Sequence, residues 1–336
     1  MGVNVGFNLY VPSQIFSPMQ FLIYNKHFPA IHAIMIQPIT YIFFLFMLIL
    51  LPAIGADAAN TISERVVHSD SIDALCSTDK YIFTASFDGH IKKCTRDSIE
   101  EIGAHRDWVR SLLCINDNVI SASNDGRIII WNGTSISNQV SAHDWWITDI
   151  AFHKDTIVSV SLDETVKIWR YPDLELVYQH KIYGSYKHHT VTVCQNKAFI
   201  GSTWVISVLD LATRKWIFQN KGFDNFNVFL ASTASDNTVY LGDNTGKVYR
   251  FDAFSSKLVS SAHVSNAAIK ALAYHQGTLF VGDDEGNLKT IDAESLANTV
   301  VLASFPQAVR AILVRDDTVF AGCDGGILRA IRIDED

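Results

Sequence analysis

A turn motif recurs seven times after Asn60, and this recurrence restricts the fold more than any other feature of the 336-residue chain. Each copy follows a short apolar run, as in the segment TASFDG at 84–89 and the segment SASNDG at 121–126. Self-similarity with a period of about 40 residues is typical of β-propellers. Anchor residues of the seven copies are Ser86, Ser123, Ser161, Ser202, Asp243, Asp283 and Cys323, with steps of 37, 38, 41, 41, 40 and 40 residues.

Each repeat unit divides into four short segments rich in β-branched and aromatic residues, separated by turn residues. In the second unit these segments are 109–115, 119–123, 127–131 and 137–141. The Asp-Gly pair at 88–89 and its counterpart at 125–126 supply the positive φ that a tight hairpin needs. The sequence therefore predicts an all-β, seven-bladed propeller over residues 60–336.

The second and third units resemble WD repeats. Ala104-His105 and Ala142-His143 stand where that family has Gly-His, and a tryptophan follows each histidine by 26 residues. The resemblance implies a buried hydrogen-bonded set of His, Ser, Asp and Trp in each unit, because a buried indole N–H needs an acceptor and a buried imidazole needs two partners. The implied sets are His105, Ser121, Asp125 and Trp131, and His143, Ser159, Asp163 and Trp169.

Other units keep less of this pattern. The first retains His68 and Asp88 but has Cys94 in place of the tryptophan. In the sixth unit we expect His263 to take the histidine position, with Glu285 and Ile291 at the Asp and Trp positions. The fourth, fifth and seventh units keep only the apolar and glycine pattern.

The two ends of the repeat region complement each other. The seventh unit has one strand after Cys323 and lacks its fourth, whereas an additional strand, 62–67, precedes the first unit. We expect this N-terminal strand to complete the last blade, because pairing the two removes exposed sheet edges. The prediction is a closed, monomeric ring that deletion of residues 60–68 would destabilise.

Residues 1–58 form a hydrophobic leader with only two formal charges, Lys26 and Asp57. The apolar run 41–51 precedes the small-residue segment Ala56-Asp57-Ala58, which is the layout of a signal peptide starting at Met35. Two alternatives stay open: a single membrane anchor, since 31–56 carries no formal charge, and a mis-joined gene model. A real leader places the chain in the secretory pathway, and otherwise it is cytoplasmic. Membrane association is expected only through this segment, if it is not cleaved.

Charge and cysteine content exclude several classes. Acidic residues outnumber basic ones by 35 to 27, which gives no basic excess for nucleic acid. Asn132-Gly133-Thr134 is an N-glycosylation sequon, which is weak support for a secreted destination. The five cysteines show no paired spacing, so we interpret them as buried reduced thiols: Cys76, Cys94, Cys114, Cys194 and Cys323.

Nothing in the sequence indicates catalysis, a metal or another cofactor. His105, Ser121 and Asp125 have the residue types of a hydrolase triad, but the same types recur at the same offsets in the third unit, as a scaffold motif does. The adjacent pair His188-His189 is interpreted as part of a solvated loop, since no acidic or cysteine partner lies near it in sequence.

Aromatic residues in the loops give the clearest indication of a binding surface. Trp108, Trp145 and Trp146 lie in loops that lead into the second and third blades, and Trp204 occupies a turn of the fourth. If the family geometry holds, these loops and turns share one rim. Aromatic and arginine side chains are enriched in protein interfaces; the alternative is that the rings cap blade cores. The predicted partner-binding residues are Trp108, Arg110, Trp145, Trp146, Tyr183, Tyr186, Trp204, Phe223 and Phe226.

These observations favour a non-catalytic scaffold or adaptor that binds a peptide or protein on the aromatic rim. Negative charge is expected elsewhere, at Asp243, Asp283, Asp284 and the segment 334–336. Two alternatives stay open. Exposed tryptophans also fit a secreted lectin-like propeller, and the segments 208–216 and 248–252 are similar to quinoprotein-type repeats as well as to WD repeats.

Overall fold

The computed structural model describes residues 61–181, 187–220 and 227–333. These residues form seven antiparallel sheets of four strands each, with no α-helix among them. The all-β, seven-bladed propeller expected from the period is confirmed. Within the described ranges, no helix is long and apolar enough to cross a membrane.

The strands are numbered β1 to β28 along the chain. The first strands of blades one to seven are β2 (Ile72–Ser77), β6 (Val109–Ile115), β10 (Ile147–His153), β14 (His188–Cys194), β18 (Phe229–Ala234), β22 (Ile269–His275) and β26 (Val309–Arg315). The second strands are β3 (Ile82–Ser86), β7 (Asn118–Ser123), β11 (Thr156–Ser161), β15 (Lys197–Ser202), β19 (Thr238–Asp243), β23 (Thr278–Asp283) and β27 (Thr318–Cys323).

Third strands follow in β4 (His90–Cys94), β8 (Arg127–Asn132), β12 (Thr165–Arg170), β16 (Ile206–Asp210), β20 (Lys247–Asp252), β24 (Asn287–Asp292) and β28 (Ile327–Arg332). The outer strands are β5 (Ile99–Ala104), β9 (Ser135–Ser141), β13 (Glu175–Lys181), β17 (Trp216–Asn220), β21 (Lys257–His263), β25 (Val300–Ser304) and, in blade seven, β1 (Thr61–Val66). A 3₁₀ turn, Asp324–Gly326, joins β27 to β28.

Blade seven contains both ends of the propeller, as predicted. Strand β1 pairs antiparallel with β28, and the register places Glu64 opposite Arg329 and Val66 opposite Ile327. The Arg329 guanidinium donates to the Glu64 carboxylate at 2.8 Å. Ring closure therefore rests on a strand pair between residues at opposite ends of the described chain.

The first strands line the centre of the ring, where each contacts the first strand of the next blade and β26 contacts β2. The hydrophobic core lies between neighbouring blades. One cluster, for example, combines Ile91 and Ile102 of blade one with Val119 and Trp131 of blade two. Gly103 on β5 makes room for Trp131, because a Cβ at this glycine would lie 2.2 Å from the indole ring.

The interpretation of all five cysteines as reduced thiols is wrong for two of them. Cys76 on β2 and Cys114 on β6 form a disulfide with a Cα–Cα distance of 5.6 Å. They lie on first strands that touch each other, and Cys114 is one residue beyond Leu113, the position that matches Cys76 in the second blade. Three other cysteines are free and buried, namely Cys94, Cys194 and Cys323.

Candidate functional site

The loops and turns of each blade alternate between two rims. In every blade the amide after the second strand donates to a carbonyl in the loop before the first strand, as Asn124 does to Trp108 and Leu162 to Trp146. These bonds bring the connecting loops and the turns between second and third strands to the same side. We call this side the upper rim, and the lower rim carries the other two turns of each blade.

The four-residue sets implied by the WD resemblance are present in blades two and three. In blade two the Trp131 indole N–H donates to the Ser121 Oγ at 2.8 Å, which lies 2.7 Å from the His105 Nε2. The His105 Nδ1 contacts the Asp125 carboxylate at 3.1 Å. Since Nδ1 donates to the carboxylate, Nε2 accepts the serine proton, and the bonds run in one direction from Trp131 to Asp125.

Blade three repeats this geometry with His143, Ser159, Asp163 and Trp169, at distances between 2.7 and 3.0 Å. Burial lowers the pKa of His143. Burial acts to raise the pKa of Asp163, but its hydrogen bond and charge interaction with His143 and the bonds from Thr165 outweigh it and hold this pKa below its usual range.

Neither serine has the surroundings of a nucleophile. Ser121 and Ser159 are fully buried, and each Oγ is engaged by both an indole and an imidazole. A substrate carbonyl has no route to these hydroxyls, and the His-Ser-Asp geometry serves to join strands within a blade.

Blade one keeps a shortened version. His68 contacts the Asp88 carboxylate at 3.0 Å and the Thr84 Oγ1 at 2.8 Å. Cys94 lies beside Thr84, where blades two and three have tryptophan. Burial lowers the pKa of His68 to about 4.

In blades five and six the second strand ends in an aspartate, at the position that Ser123 occupies in blade two. The carboxylates of Asp243 and Asp283 are fully buried at the ends of β19 and β23, so the expectation that they add surface charge is wrong. Asp283 accepts bonds from the Ser265 hydroxyl at 2.7 Å and the Asn287 amide at 2.8 Å, and the Lys289 ammonium lies 3.0 Å away. The expected role of His263 is also wrong, since this residue is exposed and Ser265 stands at the histidine position.

Four aromatic rings form a continuous row on the upper rim, which we call the aromatic cluster: Phe87, Trp108, Trp146 and Trp145. Phe87 and Trp108 stack with their ring centroids 4.3 Å apart. Trp146 lies 6.1 Å from Trp108 on one side and 6.1 Å from Trp145 on the other. Trp108 remains 37% exposed and Trp145 44% exposed, so the rings contact each other and still present apolar surface.

Three cations lie on this row, one of which is Arg310, whose guanidinium lies 5.1 Å from the Phe87 centroid. The Arg110 guanidinium lies over the rings of Phe87 and Trp108, at 4.8 and 5.0 Å from their centroids, and the Lys187 ammonium lies 4.3 Å from that of Trp145. Arg110 is fixed from behind, because its guanidinium also donates to Asp73 and Asn124. Charge is thus placed on the ring faces, the geometry of a cation–π interaction.

The structure brings together only part of the predicted arc. Trp108, Arg110, Trp145 and Trp146 belong to one continuous series of contacts, and Phe87, which was not predicted, joins them. Trp204 is exposed in the corresponding turn of blade four, but no ring contact links it to the cluster among the described residues. The remaining predicted residues, Tyr183, Tyr186, Phe223 and Phe226, lie outside the described residues, as do the leader and the segment 334–336.

The cluster continues into the central channel, a cavity of about 450 Å³ lined by the first strands of all seven blades. Trp146 and Arg110 belong to both surfaces. The second residue of each first strand faces the cavity near the upper rim. This layer consists of Asp73, Arg110, Thr148, His189, Leu230, Lys270 and Arg310.

His189 lies in this layer, so the prediction of a solvated loop for the histidine pair is wrong. His188 is the first residue of β14, fully buried, and its Nδ1 lies 2.7 Å from the Ser202 Oγ. The His189 Nε2 contacts the Thr203 Oγ1 at 2.9 Å. Burial lowers the pKa of each imidazole to about 4.

Deeper in the channel, Asp149 connects three blades. Its carboxylate accepts bonds from the Ser111 hydroxyl at 2.8 Å, the Thr190 hydroxyl at 3.0 Å and the Val191 amide at 2.9 Å. Burial raises the pKa of Asp149 to about 6 despite these bonds. The carboxylate therefore serves to connect neighbouring strands. The described residues contain no group of three or more His, Cys, Asp or Glu side chains suited to a metal ion.

The upper rim changes character around the ring. The residue after the second strand is Phe87 in blade one and Leu162 in blade three, but Asp284 in blade six and Asp324 in blade seven. Asp284 pairs with Lys270 at 3.6 Å, and Asp324 pairs with Arg310. The apolar residues at this position thus lie in blades one and three, and the paired charges lie in blades six and seven, of which blade seven adjoins blade one.

Comparisons with known proteins agree with this architecture. Two segments, 96–132 and 134–170, match the sequence model of the family described as "WD domain, G-beta repeat". They cover β5 to β8 and β9 to β12, so each sequence repeat begins on the outer strand of the preceding blade. No curated protein matches the chain by sequence.

Two solved structures have a similar fold. The WD40 β-propeller domain of Doa1 is 13% identical, with a TM-score of 0.72, over 82% of this chain and 97% of that one. The computationally designed Ika8 protein is 18% identical, with a TM-score of 0.64, over 82% of this chain and all of that one. The resemblance of this chain to WD40 propellers is thereby confirmed, and propellers of this fold are generally scaffolds for protein interactions.

Proposed function

We propose that this chain is a non-catalytic interaction scaffold that binds a peptide or protein partner on the aromatic cluster. The observation that carries the proposal is the row of four contacting rings with three cations on their faces, left accessible at one mouth of the channel. Contiguous exposed apolar surface on a folded protein marks an interaction site. Tryptophan and arginine also dominate the binding energy of protein interfaces.

The charges beside the cluster indicate the kind of segment that fits. Lys187 and Arg110 already occupy faces of the row, so the free edges of Trp108 and Trp145 are left for apolar or aromatic side chains of a partner. The neighbouring channel mouth carries Asp73, Lys270 and Arg310, each paired with a charge of opposite sign, so polar groups of a partner meet both signs there. A peptide with an aromatic or large aliphatic residue flanked by charges of both signs meets these requirements.

The test is a peptide-display selection against the folded propeller, followed by affinity measurements on the peptides recovered. Trp108→Ala and Trp145→Ala should each weaken binding by about 30-fold or more, the effect of losing an interface hot spot of about 2 kcal/mol. Phe254→Ala is a matched control, since Phe254 is an aromatic residue 84% exposed on the lower rim. Equal losses in all three variants, or none, would contradict the proposal.

A lectin-like function is the second candidate, because exposed indole faces also stack on sugars. The Trp145 side chain is 44% exposed, which leaves part of its ring accessible to a sugar. A glycan array in which binding is lost in Trp146→Ala, with no peptide recovered in the selection, would favour this candidate over the scaffold.

A further inference from the structure

The sequon Asn132-Gly133-Thr134 occupies the turn between β8 and β9. Asn132 is the last residue of β8, and Ser135 begins β9. The side chains of Asn132 and Thr134 are both exposed. A Cβ placed on Gly133 would meet no atom within 4 Å, so the space around the turn is open. An enzyme that modifies the Asn132 amide has free access to it.

This turn lies on the lower rim. Strand β8 starts at the upper turn that contains Gly126 and runs to the other side of the ring, where Asn132 ends it. The aromatic cluster lies on the upper rim. A large group on Asn132 therefore leaves the proposed binding surface uncovered.

The disulfide supplies a second, independent observation. Cys76 and Cys114 both lie near the lower ends of their strands, in blades one and two. A groove on this side is lined by Cys114, Gly133 and Thr134 among others. Disulfides persist in oxidising compartments, of which the secretory pathway is the one that also attaches N-glycans.

We infer that Asn132 is an N-glycosylation site, on a propeller whose Cys76–Cys114 disulfide forms in the same compartment. The nitrogen of the Asn132 amide loses a proton and bonds to the anomeric carbon of a lipid-pyrophosphate-linked oligosaccharide, and the lipid pyrophosphate leaves. The two thiols give two protons and two electrons to the disulfide of a thiol oxidoreductase, which becomes a dithiol.

Three variants of the full-length chain test the glycan when it is expressed in eukaryotic cells. The wild-type chain should lose apparent mass on treatment with peptide-N-glycosidase. Asn132→Gln and Thr134→Ala should abolish this shift, whereas Thr134→Ser, which keeps the sequon, should retain it. Absence of a shift in the wild-type chain, or a shift that persists in Asn132→Gln, would overturn the inference.

The disulfide is measured on the same material. Mass spectrometry of a non-reduced digest should show the peptides of Cys76 and Cys114 linked, with Cys94, Cys194 and Cys323 alkylated only after unfolding. Free Cys76 and Cys114 would overturn the claim that one oxidising compartment produces both modifications. Neither readout depends on a partner, so failure here leaves the proposed scaffold function unaffected.

Discussion

Blades two and three hold their upper turns with a serine hydroxyl, whereas blades five and six hold theirs with a buried carboxylate. The Oγ of Ser123 accepts the Asp125 amide at 3.1 Å, and at the equivalent position of blade six Asp283 accepts two turn amides. Blades two and three also have the hydrogen bonds that link tryptophan, serine and histidine, and blades five and six have neither the tryptophan nor the histidine. Blades two, three, five and six thus all place a buried acceptor at this turn, and the WD-type residues are one of two ways to provide the polar contacts around it.

The two arrangements differ in their dependence on charge. In blades two and three the connection from tryptophan to histidine runs through uncharged donors and acceptors. In blade six an ionised carboxylate lies 3.0 Å from the Lys289 ammonium, both largely removed from solvent. Removing one partner of such a pair leaves an unpaired buried charge, which costs more than losing a neutral hydrogen bond.

Asp283→Ala is expected to have the largest effect, a loss of about 3 to 5 kcal/mol in the free energy of unfolding. It leaves the Lys289 ammonium, the Ser265 hydroxyl and two turn amides without their acceptor. Denaturant unfolding measures the loss. Asp284→Ala is the matched control, because this neighbouring carboxylate is about half exposed and should cost about 1 kcal/mol or less. Equal losses would show that the buried carboxylate is not special.

Acid should weaken blade one and blade four before blades five and six. The pKa values of His68, His188 and His189 are lowered to about 4, so between pH 6.5 and 4 the unfolded chain binds protons that the folded chain does not. Stability therefore falls as pH falls through this window, by up to ~3 kcal/mol for each imidazole. Hydrogen exchange, corrected for intrinsic rates at each pH, should locate the loss.

Asp149 works in the opposite direction and provides the control. Its pKa is raised to about 6, so the folded chain holds a proton that the unfolded chain releases, and this contribution is lost as pH rises through 6. Asp149→Asn should therefore steepen the loss of stability in acid. Protection that falls uniformly in all seven blades, with a slope unchanged by Asp149→Asn, would refute the assignment to the buried histidines.

The smallest effect concerns the indole bond of blade two. Trp131→Phe should lower the free energy of unfolding by about 1 kcal/mol, because it removes the hydrogen bond to Ser121. Ser121→Ala should lower it by more, because it leaves the indole N–H without an acceptor and the His105 Nε2 without a donor. The double variant should lose less than the sum of the singles, by about 1 kcal/mol. Ser121→Ala combined with Ser265→Ala, in separate sheets, should be additive. Additivity in both pairs would mean that the chain of bonds is not coupled.

The number of blades and two complete hydrogen-bonded sets could be predicted because both depend on local spacing. Turn residues such as Gly89, with a φ of +86°, recur at the period, and the offset from His105 to Trp131 repeats in the next blade. The polar contacts were harder to predict in units that lack the WD-type residues. In blade six the histidine position holds Ser265, which is buried in the loop after β21, whereas His263 is the exposed last residue of that strand.

Features that join different blades escaped prediction because they need the repeats to be superimposed rather than read in order. Cys76 and Cys114 carry no motif, and their spacing of 38 is one residue longer than the step of 37 between the first two units. The same superposition places Asp73, Arg110, Lys270 and Arg310 at one position facing the channel. Phe87 was missed for a similar reason, since only the turn geometry brings it onto Trp108.

Pairing of β1 with β28 sets the order of events during synthesis. Glu64 meets Arg329 only after 265 further residues have been made, which takes about 13 to 50 s at 5 to 20 residues per second. Throughout that time β1 has no sheet to join, because its partner β28 is complete only when Arg332 has been added. The blades between them form earlier from local hairpins, so the slow step is the meeting of the two ends. Until β28 is made, β1 remains an unpaired edge strand, and such strands expose a nascent chain to aggregation.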